Sequence, residues 1–309
     1  MTKTNRLSTA VSENFVAKIL READFSVTPE QRELIQGYFV AMDHYLTENN
    51  ISWNDIIVDY KLAQDLMVRA QMGFDMRSEA MLYPVARKDN KVGGKLRFTI
   101  QKGYKGYVFE AKKYAAGTVI DIDAHLVYEN DEFCPHFKDQ NHPYDTFEFN
   151  PPKNVFVDRG KIVGGFAYIT YENHLQNKLV VMSKQEIDKH KAKAMAQKIW
   201  NEWYEQMALK TLYIAAAKAV PKDPSKIDST YRASQLLDQE QADAEAQENI
   251  LINQETGEVI DLNAPKAAIP QSTNVDMPVR IEAPVQAEKV PAGNRESAAA
   301  TEEMMNMEF

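Results

Sequence analysis

The sequence predicts an α+β fold: an antiparallel sheet with an inserted basic helix, helical flanks, and a disordered acidic C-terminal tail. Three observations predict it. Segments at residues 80–87, 95–101, 118–128, 161–172 and 178–182 have strand character and are separated by turn residues. Between the second and third of these, KGYKGYVFEAKKYAAG (102–117) has helical spacing. From Ala233 onward Gln, Ala, Glu, Asn and Pro dominate and aromatic residues vanish until Phe309, a composition that buries too little apolar surface to fold alone.

Taken in order, the first clear helix opens at Thr28 as N-cap, with Pro29 at N1 and Gln31 at N3 closing a capping box. Leu34, Ile35, Tyr38, Phe39, Met42 and Leu46 form its apolar stripe. A second helix is expected from near Asn54 towards Gly73. Residues 80–87 read as a strand that Pro84 confines to an edge or a bulge. Residues 89–94 form a turn. In 95–101, Leu96, Phe98 and Ile100 alternate with Lys95, Arg97 and Thr99, a half-buried strand with a cationic outer side.

In the helix that follows, Tyr104, Tyr107, Val108, Ala111 and Tyr114 share one face and are expected to pack. Lys102, Lys105, Phe109, Lys112 and Lys113 share the other, and Gly117 is expected to end the helix in the left-handed conformation. Residues 139–153 read as a Pro/Asn/Asp-rich excursion. A hairpin is expected across Asn173-His174. Ser183 caps the next helix with Glu186 at N3. One long helix over 199–220 is predicted from the stripe Trp200, Trp203, Tyr204, Met207, Thr211, Ile214 and Ala215, with Pro221 and Pro224 stopping it. The domain reading is an N-terminal helical region with oligomer contacts (1–60), a core (61–232) and the acidic tail (233–309).

Charge is unevenly placed. Residues 87–117 hold nine Lys/Arg against two acids, in a chain of net charge −9. The tail holds 15 acids and 4 bases, so an overall pI near 5.3 conceals a mildly basic body. Cations that neutralise phosphates, interleaved with rings, suit single-stranded nucleic acid. A single cysteine, Cys134, rules out an internal disulfide framework and fits a reducing compartment. No secretory h-region and no run of about 18 apolar residues is present, so a cytoplasmic, membrane-free protein is expected.

Other chemistries are weaker. Cys134, His136, His142 and His125 do not make the paired motif of structural zinc. Asp121 and Asp123 alternate on one strand face, and with Asp131 and Glu132 they allow a two-metal nuclease reading; solvated acids give the same pattern. No GxxxxGK[ST] phosphate loop occurs, and GYKG lacks the third glycine of a dinucleotide fingerprint.

The order of motifs resembles the RecT family of phage and prophage single-strand annealing proteins. The carriers are RAQMGFD (69–75), MLYPVA (81–86), FTIQKGYKGYVFEAKKYAAG (98–117) and HLVYENDEF (125–133). GGFAYI (164–169), MSKQEIDKHKAKA (182–194) and WNEWYEQMALKTLYIAAAK (200–218) follow. The chain departs at Leu209, where the family more often has a second lysine, and at MRSEAML, where it has a glycine-rich lead. The resemblance implies a strand–strand–strand–helix annealing core. It implies ATP-independent binding and pairing of complementary single strands by a ring or filament of copies, beside a 5′→3′ exonuclease.

On this reading the DNA-binding residues are Lys105, Lys112 and Lys113 first, then Arg97, Lys95 and Lys102, with Lys191, Lys193 and Lys210 as second candidates. Tyr104 and Tyr107 are expected in the core. No catalytic residue, metal or required cofactor is expected, with Mg2+ at most a modulator of DNA binding. Single-stranded DNA, the annealed duplex, further copies of the chain, the exonuclease and a host single-strand binding protein are the expected partners. The tail ending EEMMNMEF is similar to the acidic, Phe-ended tip of bacterial single-strand binding proteins; it reads as a solubilising tail, or as a competitor for the basic groove. The alternatives are a single-strand protector that does not anneal, a metal nuclease, and a scaffold that does not bind DNA.

Overall fold

The computed structural model describes residues 3–23, 26–88, 93–154, 156–194, 197–248, 250–252 and 259–261, with side chains within 12–243. In chain order the elements are α1 (Lys3–Ala23), α2 (Pro29–Glu48), β1 (Ile56–Ile57), α3 (Tyr60–Met72), β2 (Leu82–Lys88), β3 (Leu96–Lys102) and α4 (Tyr104–Tyr114). Then come β4 (Val119–Tyr128), β5 (Glu132–His136), β6 (Thr146–Asn150), β7 (Ile162–Tyr171) and β8 (Lys178–Ser183). Helices α5 (Lys184–Lys193), α6 (Gln197–Glu202), α7 (Tyr204–Ala219) and α8 (Ser229–Glu248) follow, then the short pair β9 (Ile250–Ile252) and β10 (Val259–Asp261). The chain is mixed α+β with small sheets, as the sequence predicts.

Two hydrophobic cores organise the described residues. The first joins α1, α2 and α3 to the sheet β1-β3-β2. The capping box of α2 forms: Thr28 Oγ1 accepts from the Gln31 amide at 3.3 Å, and Gln31 Oε1 accepts from the Thr28 amide at 3.0 Å. The next helix starts later than predicted. Ser52 and Asp55 cap a 3-10 turn, Ile56 and Ile57 pair parallel to β3, and Asp59 caps α3. The apolar pair Ile56-Ile57 gains more from joining the sheet than from another helical turn. β2 lies at the sheet edge, where the missing N–H of Pro84 costs no ladder bond. The turn predicted at 89–94 falls largely outside the described residues.

The second core packs α7 against the antiparallel sheet β4-β7-β8, with Ala208, Leu212, Ala216 and Ala217 buried. Gly165 allows the close contact, since a Cβ there would press on the Leu212 side chain. The opposite sheet face is covered by an unpredicted element. Residues 139–153 hold β6, which pairs with β5 and lays Phe133, Phe147 and Phe149 on Phe166. The predicted helix over 199–220 is two helices, broken at Trp203 (φ −128°). Trp200 is buried, but Trp203 is 57% exposed. The packed face of α7 is the alanine–leucine face, because small side chains let the helix approach the sheet.

Helix α4 stands between the cores: Phe109 and Tyr114 pack in the first, Tyr107, Val108, Ala111 and Ala115 in the second. Its N-terminus lacks a side-chain cap. The amides of Gly103 and Lys105 instead donate to the carbonyls of Met81 (3.0 Å) and Ala80 (3.1 Å), with Ala80 held at φ 57°. A Cβ at Gly103 or Gly106 would fall well inside van der Waals contact with those two carbonyl oxygens. At its C-terminus α4 ends at Ala115 in an extended conformation, and Gly117 has no positive φ, contrary to the predicted left-handed cap.

The predicted tail boundary at Ala233 also shifts, because α8 continues to Glu248 and packs on α3. Its anchor is polar. Arg69, 0% exposed, donates to Asp65 (3.0 Å), Ser234 (3.1 Å) and Asp238 (2.7 Å). Lys102 pairs with Asp238 at 2.6 Å and with Glu110. Burial pushes the Asp65 carboxyl up despite Arg69. Composition hides this helix because acids and a serine matched to buried cations share its docking with Tyr231, Ala233 and Leu237 on the first core. Beyond α8 only the short antiparallel pair β9 and β10 is among the described residues of the tail.

Two outcomes are expected. Gly106→Ala lowers the unfolding free energy by about 1–3 kcal/mol or more, because backbone cannot yield as a side chain can; a shift below about 0.5 kcal/mol in urea denaturation would contradict the close seating of α4. Asp238→Ala leaves Arg69 with Asp65 alone and Lys102 with Glu110 alone in a buried site, and costs up to about 3–5 kcal/mol. Hydrogen exchange reads the release of α8.

Candidate nucleic-acid interface

The predicted cations do not share one environment. Lys102 is the clearest correction. Its side chain is 3% exposed and is engaged by Glu110 and Asp238, so it holds the fold and presents no charge to solvent. The preceding strand carries it inward, towards α8. Arg97 is likewise committed: Nη1 donates to both oxygens of Asp59, at 2.7 and 2.6 Å, and ties β3 to the start of α3. Burial alone would raise Asp59, but the Arg97 hydrogen bond and the helix amides outweigh it and bring that carboxyl below its ordinary value. Lys113 is exposed as a residue, yet its ammonium donates to the Met72 carbonyl at 2.7 Å, and partial burial lowers its pKa. The predicted outward face of α4 is packed at Phe109, which meets Phe74 at 5.2 Å between centroids.

Lys105 and Lys112, two turns apart on α4, remain at the surface. Lys105 pairs with Glu79 at 2.8 Å, and Lys112 with Asp121 at 3.2 Å and the Ile120 carbonyl at 2.8 Å. Such exposed pairs are worth about 0–1 kcal/mol, so a phosphate can displace the carboxylate. Lys95 and Lys193 are exposed and have no described partner.

Lys210, on α7, is different again. It is half-buried with no ion-pair partner among the described residues, and desolvation pulls its pKa down. An uncompensated, partly desolvated ammonium gains most from an arriving anion.

A third group surrounds an open depression of about 490 Å3. Lys161, Lys184 and Lys191 line it with Tyr128, Tyr204 and Asp188. The Lys184 and Lys191 ammoniums lie 5.4 and 5.6 Å from the Tyr204 ring centroid. Only Lys191 was predicted here. Lys184 sits at the first turn of α5, where the helix dipole disfavours a cation, which is the one sequence signal that marked it.

Rings form a second feature. Tyr104 and Tyr107, expected in the core, are half-buried. Tyr104 meets Tyr213 of α7 at 5.1 Å, and Tyr107 lies beneath Lys102 (4.9 Å) and Lys218 (5.5 Å). The acids considered for a nuclease are committed elsewhere: Asp121 to Lys112, Asp123 to His125 (2.9 Å) and Tyr213 (3.3 Å), Asp131 to Arg159. Among the described residues no group of three His, Cys, Asp or Glu is arranged to hold a metal ion. Among them, too, no helix is long and apolar enough to cross a membrane.

Lysines displayed on helices of an α+β scaffold define a class, the proteins fitted to polyanions. The particular family follows from the sequence: the RecT family model matches residues 59–250, and the chain belongs to the RecT family. Membership implies single-strand annealing of the phage recombination type, with single-stranded DNA binding and oligomerisation. No curated protein matches the chain. The matched segment runs from the N-cap of α3 past the end of α8, so it includes the buried anchor of that helix.

The depressed pKa of Lys210 gives a pH prediction. Its charge is lost at a lower pH than an ordinary lysine's value of about 10.4. Affinity for a single-stranded oligonucleotide therefore falls as pH rises through the alkaline range below that value, and Lys210→Arg, which keeps its charge, removes that fall. Identical pH profiles for the two proteins in fluorescence anisotropy would exclude Lys210 as a phosphate contact.

Proposed function

We propose that the chain anneals complementary single strands without ATP, as an oligomer of identical copies acting in phage-type recombination in a bacterial cytoplasm. The observation that carries the reading is the family match over 59–250, which spans the helices bearing Lys105, Lys112, Lys191, Lys193 and Lys210. Lys105 and Lys112 exchange Glu79 and Asp121 for phosphates of one extended strand. Lys95, Lys193 and Lys210 add contacts that need no such exchange. Lys113 and Arg97 contribute by positioning their elements, Lys191 through the depression beside Tyr204.

Two bare strands repel, and the lysines lower that repulsion. Counterions released on binding make affinity fall steeply with salt. Contacts go to the backbone, so base edges stay free to pair. Duplex formation is downhill by about 1.4 kcal/mol per step, which supplies the driving force without nucleotide hydrolysis. A 5′→3′ exonuclease supplies the strand and a host single-strand binding protein is displaced from it; Mg2+ modulates binding and is not a reactant.

The test mixes two labelled complementary oligonucleotides with the protein, without ATP, with and without Mg2+, and follows pairing and length. Faster pairing than in buffer with both strands intact is expected. Strand loss dependent on Mg2+ would indicate a nuclease, and binding without acceleration a protector. In the same system, the double variant Lys105→Ala/Lys112→Ala lowers the slope of log K against log salt by about 1.4, two phosphate contacts at about 0.7 each on a single strand.

A further inference from the structure

The surface next to Lys105 carries more than charge. Tyr83 on β2 is 45% exposed and lies against the turn that starts α4; a Cβ on Gly103 would stand 2.8 Å from its ring. Tyr104 follows directly in α4, and its ring meets that of Tyr213 from α7 at 5.1 Å with an interplanar angle of 37°. The Tyr213 hydroxyl donates to Asp123 of β4 at 3.3 Å, which fixes the rearmost ring. The Lys105 ammonium stands 5.9 Å from the Tyr104 ring centroid, comparable to the span between a phosphate and its own base. Two rings in contact and a third against the same turn thus sit beside one surface cation.

We infer that Tyr83 and Tyr104, backed by Tyr213, form a stacking step for one unpaired nucleobase of the strand whose phosphate Lys105 holds. This rests on the single-strand reading above and specifies how the base, and not only the backbone, is engaged. A ring stack contacts the face of a base and leaves its pairing edge open, which a surface that promotes pairing requires. It accepts any of the four bases, because each has a π face. The rings of Tyr104 and Tyr213 are half-buried and already in contact, so little side-chain freedom is lost on binding. Tyr104 belongs to the GYKG turn, whose glycines fix the backbone against Ala80 and Met81 and so fix where the ring emerges.

The experiment compares the full chain on an oligothymidylate and on an abasic strand with the same number of phosphates, over a salt series, by fluorescence anisotropy. The native chain is expected to prefer the base-bearing strand. Tyr83→Leu and Tyr104→Leu each reduce that preference roughly 5- to 100-fold, with the salt slope unchanged. Tyr83→Trp retains it, and because Tyr83 is largely at the surface its leucine variant keeps the fold, as circular dichroism checks. Equal affinity of the native chain for the two strands, or leucine variants that keep the full preference, overturns the stacking step and leaves the annealing reading standing. A native chain with no salt-sensitive affinity for either strand overturns both.

Discussion

Helix α4 can occupy its place only because one residue of its first turn, Gly106, and the one that precedes it, Gly103, have no side chain in the way of the backbone of Ala80 and Met81. The seat is made of main chain on both sides: two amides of the helix start donate to two carbonyls of the segment before β2. Since neither partner is a side chain, neither can rotate away, and the position of the helix is set to within a hydrogen-bond length. Everything that meets at α4 inherits this precision. The first core reaches it through Phe109 and Tyr114, the second through Ala111 and Ala115, so the two cores share a wall. The surface lysines Lys105 and Lys112 and the ring of Tyr104 are displayed from the same rigid rod.

That double burial explains why a helical wheel drawn for α4 misassigned its faces. A helix with one packed face shows one stripe, and the sequence was read that way. A helix packed on two sides shows apolar residues around most of its circumference, and the charges among them must either escape at the rim or find partners inside. Glu110 meets Lys102 of the preceding strand, Lys113 reaches the rim but gives its ammonium to a carbonyl, and Lys105 and Lys112 reach it paired with exposed carboxylates. The same logic covers the other misreadings. The β5–β6 hairpin was obscured by its Pro, Asn and Asp residues, although Phe147 and Phe149 alternate as a strand should. Helix α8 was obscured because its contact with α3 is ionic. By contrast, the capping boxes at Thr28 and Ser183, the edge strand with Pro84 and the β7–β8 hairpin were legible, since each depends on residues within a few positions of one another.

Charge has two uses in this molecule, and burial separates them. Arg69 and Lys102 form an interior cluster with three carboxyls, Asp65, Glu110 and Asp238, of which burial pushes Asp65 up; removing a member leaves its partners less compensated, and the cluster specifies where α8 docks. The exposed pairs Lys105–Glu79 and Lys112–Asp121 contribute little to stability for the opposite reason, that water screens both members. A polyanion distinguishes these classes without further machinery. It cannot compete for a buried cation, whose desolvation has already been compensated, but it can replace an exposed carboxylate at almost no cost. Sequence composition counts nine cations in the basic stretch as equivalents; the fold sorts them into structural and available ones.

This sorting bears on how one surface could hold a strand firmly yet let it pair. If affinity came from many strong, buried contacts, the strand would be trapped and the incoming complement excluded. Weak pairs at the rim give the reverse: each phosphate contact is individually replaceable, and the total is set by how many are made at once, which is a property of an array of copies more than of one chain. The carboxylates beside Lys105 and Lys112 then have a kinetic use, since they can recapture the ammonium as a phosphate leaves and shorten the lifetime of either contact. Half-buried Lys210 runs against this pattern, being desolvated and without a described acid to return to, so a phosphate contact there would be slower to let go than one at Lys105 or Lys112.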